Sequence, residues 1–496
     1  MPLPYDSQGP ARPASELVEA ARVMPYSRRR GRPLQLRPVQ SVVLSFFAVS
    51  LVGWALLLLP GAGRFQPLNW FDALFLSVST VCVTGLHTIN LGLDVSGSGH
   101  VVVLILTQIG GLTYMVISTA FMALAGGRLP VARRIALRDA MGQHSLGGVM
   151  PLWRMVLQFT LACEGIGTLL LSAHFIITYD MPPMTALWLG LFHSVTAFCN
   201  GGVTLFGLPY YASLLGQSSG FNSLMGVGHD TFLLCVLMSL VILGGLGFIT
   251  VLDLLERRPG RRLLLQTRVV LVSSVVLILV GWASFWLLEG GNVKTLGALR
   301  WDQRAVGALF QSVSPRTAGL ATIDMAAMHP ASKLLTMFLI IIGASPGGAG
   351  GGIKTTTFVI ILLAALASMR GEEEIHVYHR RIAHTTVYRA LAVGLSALVV
   401  VGLAIFCLTV TESNLLVGSA ARELGSLLDI AFEAVSAFGT AGLSTGITSG
   451  LSEAGKVVLL LTMLVGRIGP VTLGLALIER TQRRHRQYPD GELMIG

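Results

Sequence analysis

Long apolar stretches alternate with short polar connections along most of the chain. Eight of them are long enough for a helix that crosses a bilayer, which takes roughly 20 residues. They lie at about 40–60, 100–125, 155–177, 232–254, 266–288, 334–369, 386–410 and 456–478. This pattern predicts an all-helical membrane protein with eight spans.

A shorter apolar segment lies between the two members of each pair of spans. The four segments cover about 71–82, 187–198, 305–313 and 428–438, and a glycine-containing loop follows each one. Segments of this length are too short to cross the membrane, so each must enter and leave it from one side as a re-entrant helix. The chain therefore reads as four units of span, re-entrant helix, loop and span.

The four short segments also match one another in sequence. They read FLSVS from residue 75, FHSVT from 192, FQSVS from 310 and FEAVS from 432. The loops that follow end at Gly85, Gly202, Gly319 and Gly442, which are 117, 117 and 123 residues apart. A repeat at this spacing predicts four pseudo-equivalent units around one central pore, because secondary transporters are commonly built from two halves instead.

The repeats divide the chain into six segments. These are an N-terminal tail at 1–38, repeat 1 at 39–126, a loop with repeat 2 at 127–254, repeat 3 at 255–369, repeat 4 at 370–480 and a C-terminal tail at 481–496. The N-terminal tail is polar and rich in Pro and Arg, which is typical of a segment with little fixed structure.

Composition and charge support this topology. Hydrophobic residues make up 53% of the chain, charged residues only 12%, and the mean hydropathy is +0.71. Soluble domains carry about 25% charged residues, so a water-soluble globule is excluded. The net charge of +10 comes from Arg-rich connections after every second span, which the positive-inside rule places in the cytoplasm together with both termini.

The four loops have the composition expected of a cation filter. A dehydrated cation needs oxygen ligands in place of water, and rings of backbone carbonyls supply them in conformations open mainly to glycine. The re-entrant helices also direct their partly negative C-terminal ends toward the middle of the membrane. We therefore predict a cation selectivity filter, with tight turns at helix ends as the alternative. Its residues are Val83, Thr84, Gly85, Cys199, Asn200, Gly201, Gly202, Thr317, Ala318, Gly319, Gly439, Thr440, Ala441 and Gly442.

The sixth span is interrupted near its middle by GASPGGAGGGIKT, residues 343–355. Six glycines and a proline exclude a stable helix interior, and irregular backbone at membrane depth is found only where it is buried or lines water. We predict a gate beneath the filter, and a passive kink is the alternative. The gate residues in this loop are Gly347, Gly348, Gly350, Gly351, Gly352 and Lys354.

Arg467 lies near the centre of the last span, where a charge is costly and usually marks a pathway or a pair. We predict that it belongs to the gate, as a positive barrier below the filter or a clamp on the glycine-rich loop. The alternative is an ion pair with Glu433 or Glu164. Lys354 is expected to stiffen the loop or to pair with an acid, and His193 and Glu433 to act as packing or hydrogen-bonding groups.

Other chemistry finds little support in the sequence. Its five cysteines are not spaced as metal ligands and are interpreted as reduced packing residues. A phosphate-cradling motif, a zinc spacing and a nucleophile–base set are likewise missing from the sequence, which therefore predicts no enzyme and no cofactor in this chain.

The chain resembles the Trk/Ktr/HKT superfamily of K+ transporters, over about residues 38–480. The matching motifs are VTGL from residue 83, AFCNGG from 197, SVSPRTAGL from 312, GASPGGAGGGIKTTT from 343, AFGTAGLSTGIT from 437 and GRIGP from 466. The eight-span plan is most similar to the KtrB branch of that superfamily. One departure is Cys82, which stands where a Thr is usual in the first loop.

The resemblance implies a K+ uptake subunit in the plasma membrane of a bacterium. It implies a homodimer with one pore per subunit on a cytoplasmic, KtrA-like ring of RCK domains, where ATP or ADP sets the gate. It also implies stimulation by Na+, filter roles for the four closing glycines, and gate roles for the loop at 343–354 and for Arg467. Gly85 matches the K+-preferring form of the first loop.

Two other functions stay open on the sequence alone. A Na+-preferring or poorly selective cation channel would use the same loops, and the relative flux of K+ and Na+ separates it from a K+ transporter. A secondary transporter for organic solutes would show competition between the solute and K+.

Overall fold

The computed structural model describes residues 38–112, 149–206, 223–255, 263–372, 374–413 and 426–469. The regular secondary structure of these residues is almost entirely helical. The helices are α1 (Pro38–Leu57), α2 (Trp70–Val81), α3 (Leu91–Asp94), α4 (Gly97–Gly111), α5 (Val149–Tyr179), α6 (Pro183–Phe198), α7 (Thr231–Gly245), α8 (Phe248–Leu255), α9 (Leu265–Glu289), α10 (Trp301–Val313), α11 (Pro330–Ile341), α12 (Thr355–Met369), α13 (His384–Thr411), α14 (Leu427–Gly439) and α15 (Glu453–Ile468).

Short regular elements also lie between the described helices. Three 3₁₀ turns lie at Met225–Val227, Leu296–Ala298 and Thr448–Gly450. A two-stranded antiparallel hairpin, β1 (His376–Val377) and β2 (Arg380–Arg381), joins α12 to α13. The sequence analysis did not predict this hairpin or the one-turn helix α3. Both predicted tails fall outside the described residues, apart from Pro38 in the N-terminal tail.

Within the part of the chain that the structure describes, three helices are long and apolar enough to cross a membrane: Val156–Tyr179 within α5, α9 and α13. Shorter apolar helices account for the other predicted spans that the described residues cover. Two spans cannot be followed to their ends, because the predicted spans at 100–125 and 456–478 run beyond the described residues. The helices α7, α11 and α12 are short because their spans are broken.

The predicted continuous span at 232–254 is wrong, because the helix breaks at its middle. Helix α7 ends at Gly245 and α8 begins at Phe248. Between them Gly247 has a φ of +86°, a conformation that residues with a side chain rarely adopt. A Cβ at this position would also collide with the carbonyl oxygen of Pro346. The break therefore makes room for the glycine-rich loop.

The sixth span is interrupted as predicted. Helix α11 ends at Ile341 and α12 begins at Thr355, and an isolated parallel bridge between Ile342 and Ile353 joins the two ends of the loop. The Gly343 amide donates to the Ile353 carbonyl at 2.9 Å. The two ends of the glycine-rich loop therefore lie within hydrogen-bonding distance of each other.

The re-entrant helices α2, α6, α10 and α14 form within a few residues of the predicted segments. Asparagine and serine caps start two of them: Asn69 accepts from the Phe71 amide, and Ser426 forms a capping box with Asp429. The phenylalanine that opens each matched pentad is almost fully buried in all four helices. These residues are Phe75, Phe192, Phe310 and Phe432.

The first three units hold their re-entrant helices in the same way. A serine hydroxyl donates to a backbone carbonyl of the preceding span, at 2.7 Å for Ser77, 2.7 Å for Ser194 and 2.8 Å for Ser312. A glycine on that span lies directly opposite each hydroxyl, so the backbones approach closely. These glycines are Gly53, Gly167 and Gly281. In the fourth unit Ala434 occupies the serine position.

Candidate functional site

The four loops that follow the re-entrant helices share one backbone conformation. Each has positive φ at its closing glycine and at the residue two positions earlier. For the glycines φ is +89° at Gly85, +65° at Gly202, +73° at Gly319 and +79° at Gly442. For the earlier residues φ is +54° at Val83, +59° at Asn200, +81° at Thr317 and +49° at Thr440. Left-handed backbone at four non-glycine residues is uncommon and is typical of functional sites.

The first and second loops lie in contact through their glycines. A Cβ added to Gly85 would lie 2.7 Å from Gly202 Cα and 2.8 Å from the Gly201 carbonyl oxygen. A Cβ added to Gly202 would lie 3.2 Å from Gly319 Cα, so the second loop also touches the third. Real Cβ atoms essentially never come within 3.0 Å of another atom, so a side chain at Gly85 cannot be placed without moving a loop, and one at Gly202 would be tightly packed.

The contacts continue to the fourth loop and return to the first. A Cβ added to Gly319 would collide with the Ala441 carbonyl oxygen, and one added to Gly442 with the Thr84 carbonyl oxygen. Each loop thus contacts the loops before and after it in the chain, and the fourth contacts the first. The closing glycines and the preceding residues Thr84, Gly201, Ala318 and Ala441 meet at one place.

Hydrogen bonds tie each loop to the end of its own re-entrant helix. The residue before the closing glycine donates its amide to a carbonyl five residues back in three loops: Thr84 to Ser79 at 2.8 Å, Gly201 to Thr196 at 2.7 Å and Ala441 to Ser436 at 3.0 Å. In the third loop Ala318 donates to Ser314 instead, at 2.9 Å. Four helix C-termini therefore end at the same place, and their dipoles favour a cation there.

Two predicted filter residues lie behind the loops. The Cys199 thiol lies 3.7 Å from Glu164 Oε1 and 3.6 Å from Gln108 Oε1. Gly439 ends α14 against Ile340 of α11. Both residues pack their loops against neighbouring helices, and all five cysteines of the chain are free.

The glycine-rich loop lies directly against the third and fourth loops. A Cβ at Gly350 would collide with Thr317 Oγ1, and one at Gly351 with Thr440 Oγ1. Glycine is therefore the residue that lets the interrupted span come this close.

On its other side the glycine-rich loop rests on the break between α7 and α8. The Ser345 amide donates to the Gly245 carbonyl at 3.0 Å, and the Ala349 amide to the Gly244 carbonyl at 3.0 Å. The Phe248 amide at the start of α8 donates to the Gly347 carbonyl at 3.2 Å. This contact between the glycine-rich loop and the break was not predicted from the sequence. The GGLG run at residues 244–247 could have indicated it, but it lies inside an apolar stretch that predicts a continuous span.

Arg467 bridges two backbone segments beneath the loops. Its guanidinium donates to the carbonyl of Ala349 in the glycine-rich loop and to the carbonyl of Gly110 at the end of α4. Lys354 donates to the Gly350 carbonyl at 2.7 Å, within the same loop. Both cations thus contact the glycine-rich loop through its carbonyl oxygens.

The alternative of an ion pair for Arg467 is wrong, because both candidate acids bind elsewhere. Glu433 accepts from Ser444 at 2.6 Å and from Thr448 at 2.7 Å. Glu164 accepts from Gln108 at 3.2 Å. Within the part of the chain that the structure describes, neither Arg467 nor Lys354 forms a salt bridge with a carboxylate.

His193 and Glu433 act as hydrogen-bonding groups, as predicted. They occupy the same position in α6 and α14, and each binds the chain that leaves its loop. His193 Nε2 lies 2.9 Å from Thr204 Oγ1, and the imidazole stacks on the Phe206 ring with 4.2 Å between the ring centroids. Glu433 also accepts a hydrogen bond from the Thr445 amide at 2.9 Å. Both side chains therefore hold in place the segment that follows the closing glycine of a loop.

The arrangement offers oxygen ligands that could bind a cation. Backbone carbonyls and neutral side chains surround the meeting point, and the acids nearby are bound to hydroxyl, amide and thiol groups. The described residues contain no cluster of His, Cys, Asp and Glu that would hold a multivalent metal. Neutral oxygens suit a monovalent ion, which they can bind and release.

Comparison with known proteins identifies the family of the chain. The family model described as "TrkH: Cation transport protein" matches residues 22–484. The chain is 33% identical to Ktr system potassium uptake protein B of Bacillus subtilis, over 93% of this chain and 98% of that protein. It is 34% identical to potassium/sodium uptake protein NtpJ of Enterococcus hirae, over 93% and 98% respectively.

A solved structure shares the fold. The crystal structure of the potassium transporter TrkH from Vibrio parahaemolyticus superimposes with a TM-score of 0.65 at 18% sequence identity, covering 91% of this chain and 87% of that chain. Ktr system potassium uptake protein B of Vibrio alginolyticus is 32% identical over 92% of this chain and 94% of that protein. The chain is therefore a membrane protein that belongs to the TrkH family of cation transport proteins.

Proposed function

We propose that this protein carries K+ across a bacterial plasma membrane, through a pore lined by its four loops. The observation that carries the proposal is the shared conformation of the loops, with positive φ at the same two positions and closing glycines that each lie against a neighbouring loop. Left-handed backbone at alternate positions turns successive carbonyls toward one axis, where they replace the hydration shell of an ion. The membrane potential then draws the cation inward.

Potassium is the preferred ion in this proposal. Three relatives at 32–34% identity are named as uptake proteins for potassium or for potassium and sodium. The chain has Gly85 where the Na+-preferring form of the first loop has serine. The name of the Enterococcus relative favours a second candidate, a transporter that accepts both K+ and Na+.

The glycine-rich loop at 343–354 serves as the gate. It lies beneath the third and fourth loops, and Arg467 connects it to the end of α4. Lys354 stiffens it from within through the Gly350 carbonyl. A loop held by hydrogen bonds to carbonyls, rather than by the continuous ladder of a helix, is able to move aside at modest cost.

The transporter works as part of a larger system. The naming of two relatives as Ktr system proteins supports a separate regulatory subunit. We place a ring of RCK domains on the cytoplasmic side, with ATP or ADP bound to the ring, beneath a homodimer of this chain. Na+ stimulates uptake in this scheme.

Expression in a bacterial strain that lacks its own K+ uptake systems tests the proposal. Growth at low external K+ should require this chain, alone or with a cognate regulatory subunit. Gly319→Ala should abolish growth, whereas Gly291→Ala should not, because a Cβ at Gly291 meets no atom. Equal growth with and without the chain, in both the presence and the absence of the regulator, would contradict K+ uptake.

A further inference from the structure

Arg316 in the third loop is a cation without a counter-charge. It directly precedes Thr317, the left-handed residue of that loop. Its guanidinium donates from Nη2 to Ser274 Oγ on α9 at 3.2 Å, and its Nε is buried without a hydrogen-bond partner. Within the residues that the structure describes, no carboxylate forms a salt bridge with Arg316. Its positive charge therefore acts on the surroundings without local compensation.

The acids that lie on or against α9 are near its two ends. Glu289 ends the helix, about 22 Å from Ser274 at the 1.5 Å rise per residue of an α-helix. Asp253 accepts from the Leu264 amide before the first turn, about 15 Å from Ser274 in the other direction. Neither acid is placed to neutralise the Arg316 guanidinium.

Arg316 occupies a position of the repeat that holds a small side chain or none in the other three loops. The residue before the left-handed position is Cys82 in the first loop, Cys199 in the second and Gly439 in the fourth. All four loops nevertheless share positive φ at the next residue and at the closing glycine. The backbone conformation of the third loop therefore does not require an arginine.

The second and fourth loops have an acid close by instead of a cation. Glu164 Oε1 lies 3.7 Å from the Cys199 thiol, and Glu433 accepts from the Thr445 amide just after the fourth loop. On α10 the equivalent of Glu433 is Gln311, which is neutral. The charges around the four loops are therefore unequal, and the third loop lies on the positive side.

A fixed charge beside an ion pathway acts on each ion in proportion to the charge of that ion. The Coulomb energy with a divalent cation is twice that with K+, so the factor by which occupancy falls is squared. Dissolved salt screens such a partly buried charge only weakly. The effect matters here because carbonyl oxygens attract Ba2+, a divalent ion close to K+ in size, more strongly than K+ itself.

We propose that Arg316 is a specificity-determining residue, whose charge keeps divalent cations out of the four loops. The inference rests on the proposed function, since it concerns the ions that enter that pore. The guanidinium is bound to α9 and so acts through its field, not as a ligand of the ion. The repulsion costs K+ little, whereas a divalent cation loses much of the attraction that the carbonyls provide.

Uptake of K+ into liposomes that contain the purified protein tests this role, with external Ba2+ as the competing divalent ion. Arg316→Gln removes the charge and keeps a hydrogen-bond donor, and Arg316→Lys keeps the charge. Ser274→Ala is the matched control, because it removes the hydrogen bond to α9 and leaves the charge in place. The K+ concentration for half-maximal uptake and the inhibition constant of Ba2+ are measured for each protein.

Arg316→Gln should lower the K+ concentration for half-maximal uptake about threefold and the inhibition constant of Ba2+ about tenfold, close to the square of the first factor. Arg316→Lys and Ser274→Ala should keep both values near those of the unaltered protein. Equal factors for the two ions, or an unchanged inhibition by Ba2+, would show that Arg316 only anchors the third loop to α9.

A second neutral variant guards against a failure to fold. If Arg316→Gln does not fold, Arg316→Cys, which introduces the residue of the first and second loops, is judged by the same criteria. If neither neutral variant folds while Arg316→Lys does, the charge serves stability and the role in selectivity is wrong. An unaltered protein that carries no K+ would instead overturn the proposed function.

Discussion

At the scale of single residues, the closing glycines have two separate reasons to be glycine. Their positive φ disfavours any side chain, and a Cβ would also collide with the neighbouring loop. Gly446 separates the two effects, because it has a φ of +94° but open space around the position of a Cβ. The chain thus contains its own control for backbone strain without collision.

We expect Gly319→Ala to reduce K+ flux at least tenfold and Gly446→Ala to leave it nearly unchanged. The alanine at 319 would collide with the Ala441 carbonyl oxygen and push the third and fourth loops apart, whereas the alanine at 446 only adds strain, about 1 kcal/mol. Flux into liposomes measures the difference. Equal flux in the two variants would mean that contact between the loops does not matter for transport.

Arg467 shows how a sequence can identify a residue without revealing its partners. Its depth in the last span marked it as costly and therefore important. Its acceptors, the carbonyls of Ala349 and Gly110, lie 118 and 357 residues away in sequence and carry no side-chain signature. A backbone acceptor is invisible in a sequence, because every residue has one. Only the structure excludes the ion pair with Glu433 or Glu164.

Arg467→Ala should raise K+ flux several-fold, because it frees the glycine-rich loop from α4 and removes a positive charge below the loops. Arg467→Lys should restore only part of the restraint, since a single ammonium does not present the fork that bridges two carbonyls. Arg300→Ala is the control, because the Arg300 side chain is 78% exposed on the surface. Unchanged flux in Arg467→Ala would argue against a barrier or clamp.

At the scale of secondary structure, the proposed gate lies where two helices are interrupted rather than one. The sequence predicts the break at 343–354, because six glycines and a proline exclude a helix. It does not predict the break at Gly247, because two or three glycines within an apolar run are tolerated in membrane helices. The break at Gly247 makes room for the glycine-rich loop of the sixth span. A contact between segments this far apart in sequence cannot be read from local composition.

Gly247→Ala tests the pairing of the two breaks. The added methyl group would collide with the Pro346 carbonyl oxygen at a φ of +86°, so the glycine-rich loop has to shift from its seat. We expect a change in K+ flux of several-fold in the same direction as for Arg467→Ala. Gly165→Ala on α5, where a Cβ meets no atom, is the control. If flux in Gly247→Ala equals that of the unaltered protein, the seat does not position the gate.

At the scale of the whole molecule, the third and fourth units are joined by a buried ion pair. Lys333 at the start of α11 contacts Asp429 at the start of α14 at 2.7 Å, and both residues are nearly inaccessible. The repeat was readable from the sequence through its matched pentads and glycines. This link was not, because its two residues lie 96 positions apart in the sequence.

Asp429→Asn should lower the melting temperature of the purified protein markedly, because it leaves Lys333 buried without a counter-charge, at a cost of about 3–5 kcal/mol. The double variant Lys333→Met with Asp429→Leu should recover much of the loss. Thermal unfolding in detergent measures both. Equal stability of Asp429→Asn and the unaltered protein would show that the pair does not join the two units.

The orientation of the whole molecule is also testable. The positive-inside rule places the loops on the outer side and the hairpin between α12 and α13 in the cytoplasm. In a variant without the native cysteines, Gly446→Cys should react with a membrane-impermeant maleimide in intact cells. His379→Cys should react only after the cells are permeabilised. Both positions are exposed in the structure. The reverse labelling pattern would contradict the topology.

The most direct test of the whole account is ion flux into liposomes that contain the purified Arg467→Ala variant, with K+ or Na+ as the driven ion. This variant removes the restraint on the glycine-rich loop, so that the four loops alone determine which ion passes. The account predicts K+ flux well above Na+ flux, and its loss when Gly319→Ala is added. Equal flux of the two ions, or K+ flux that survives Gly319→Ala, would contradict a K+ filter made by these loops.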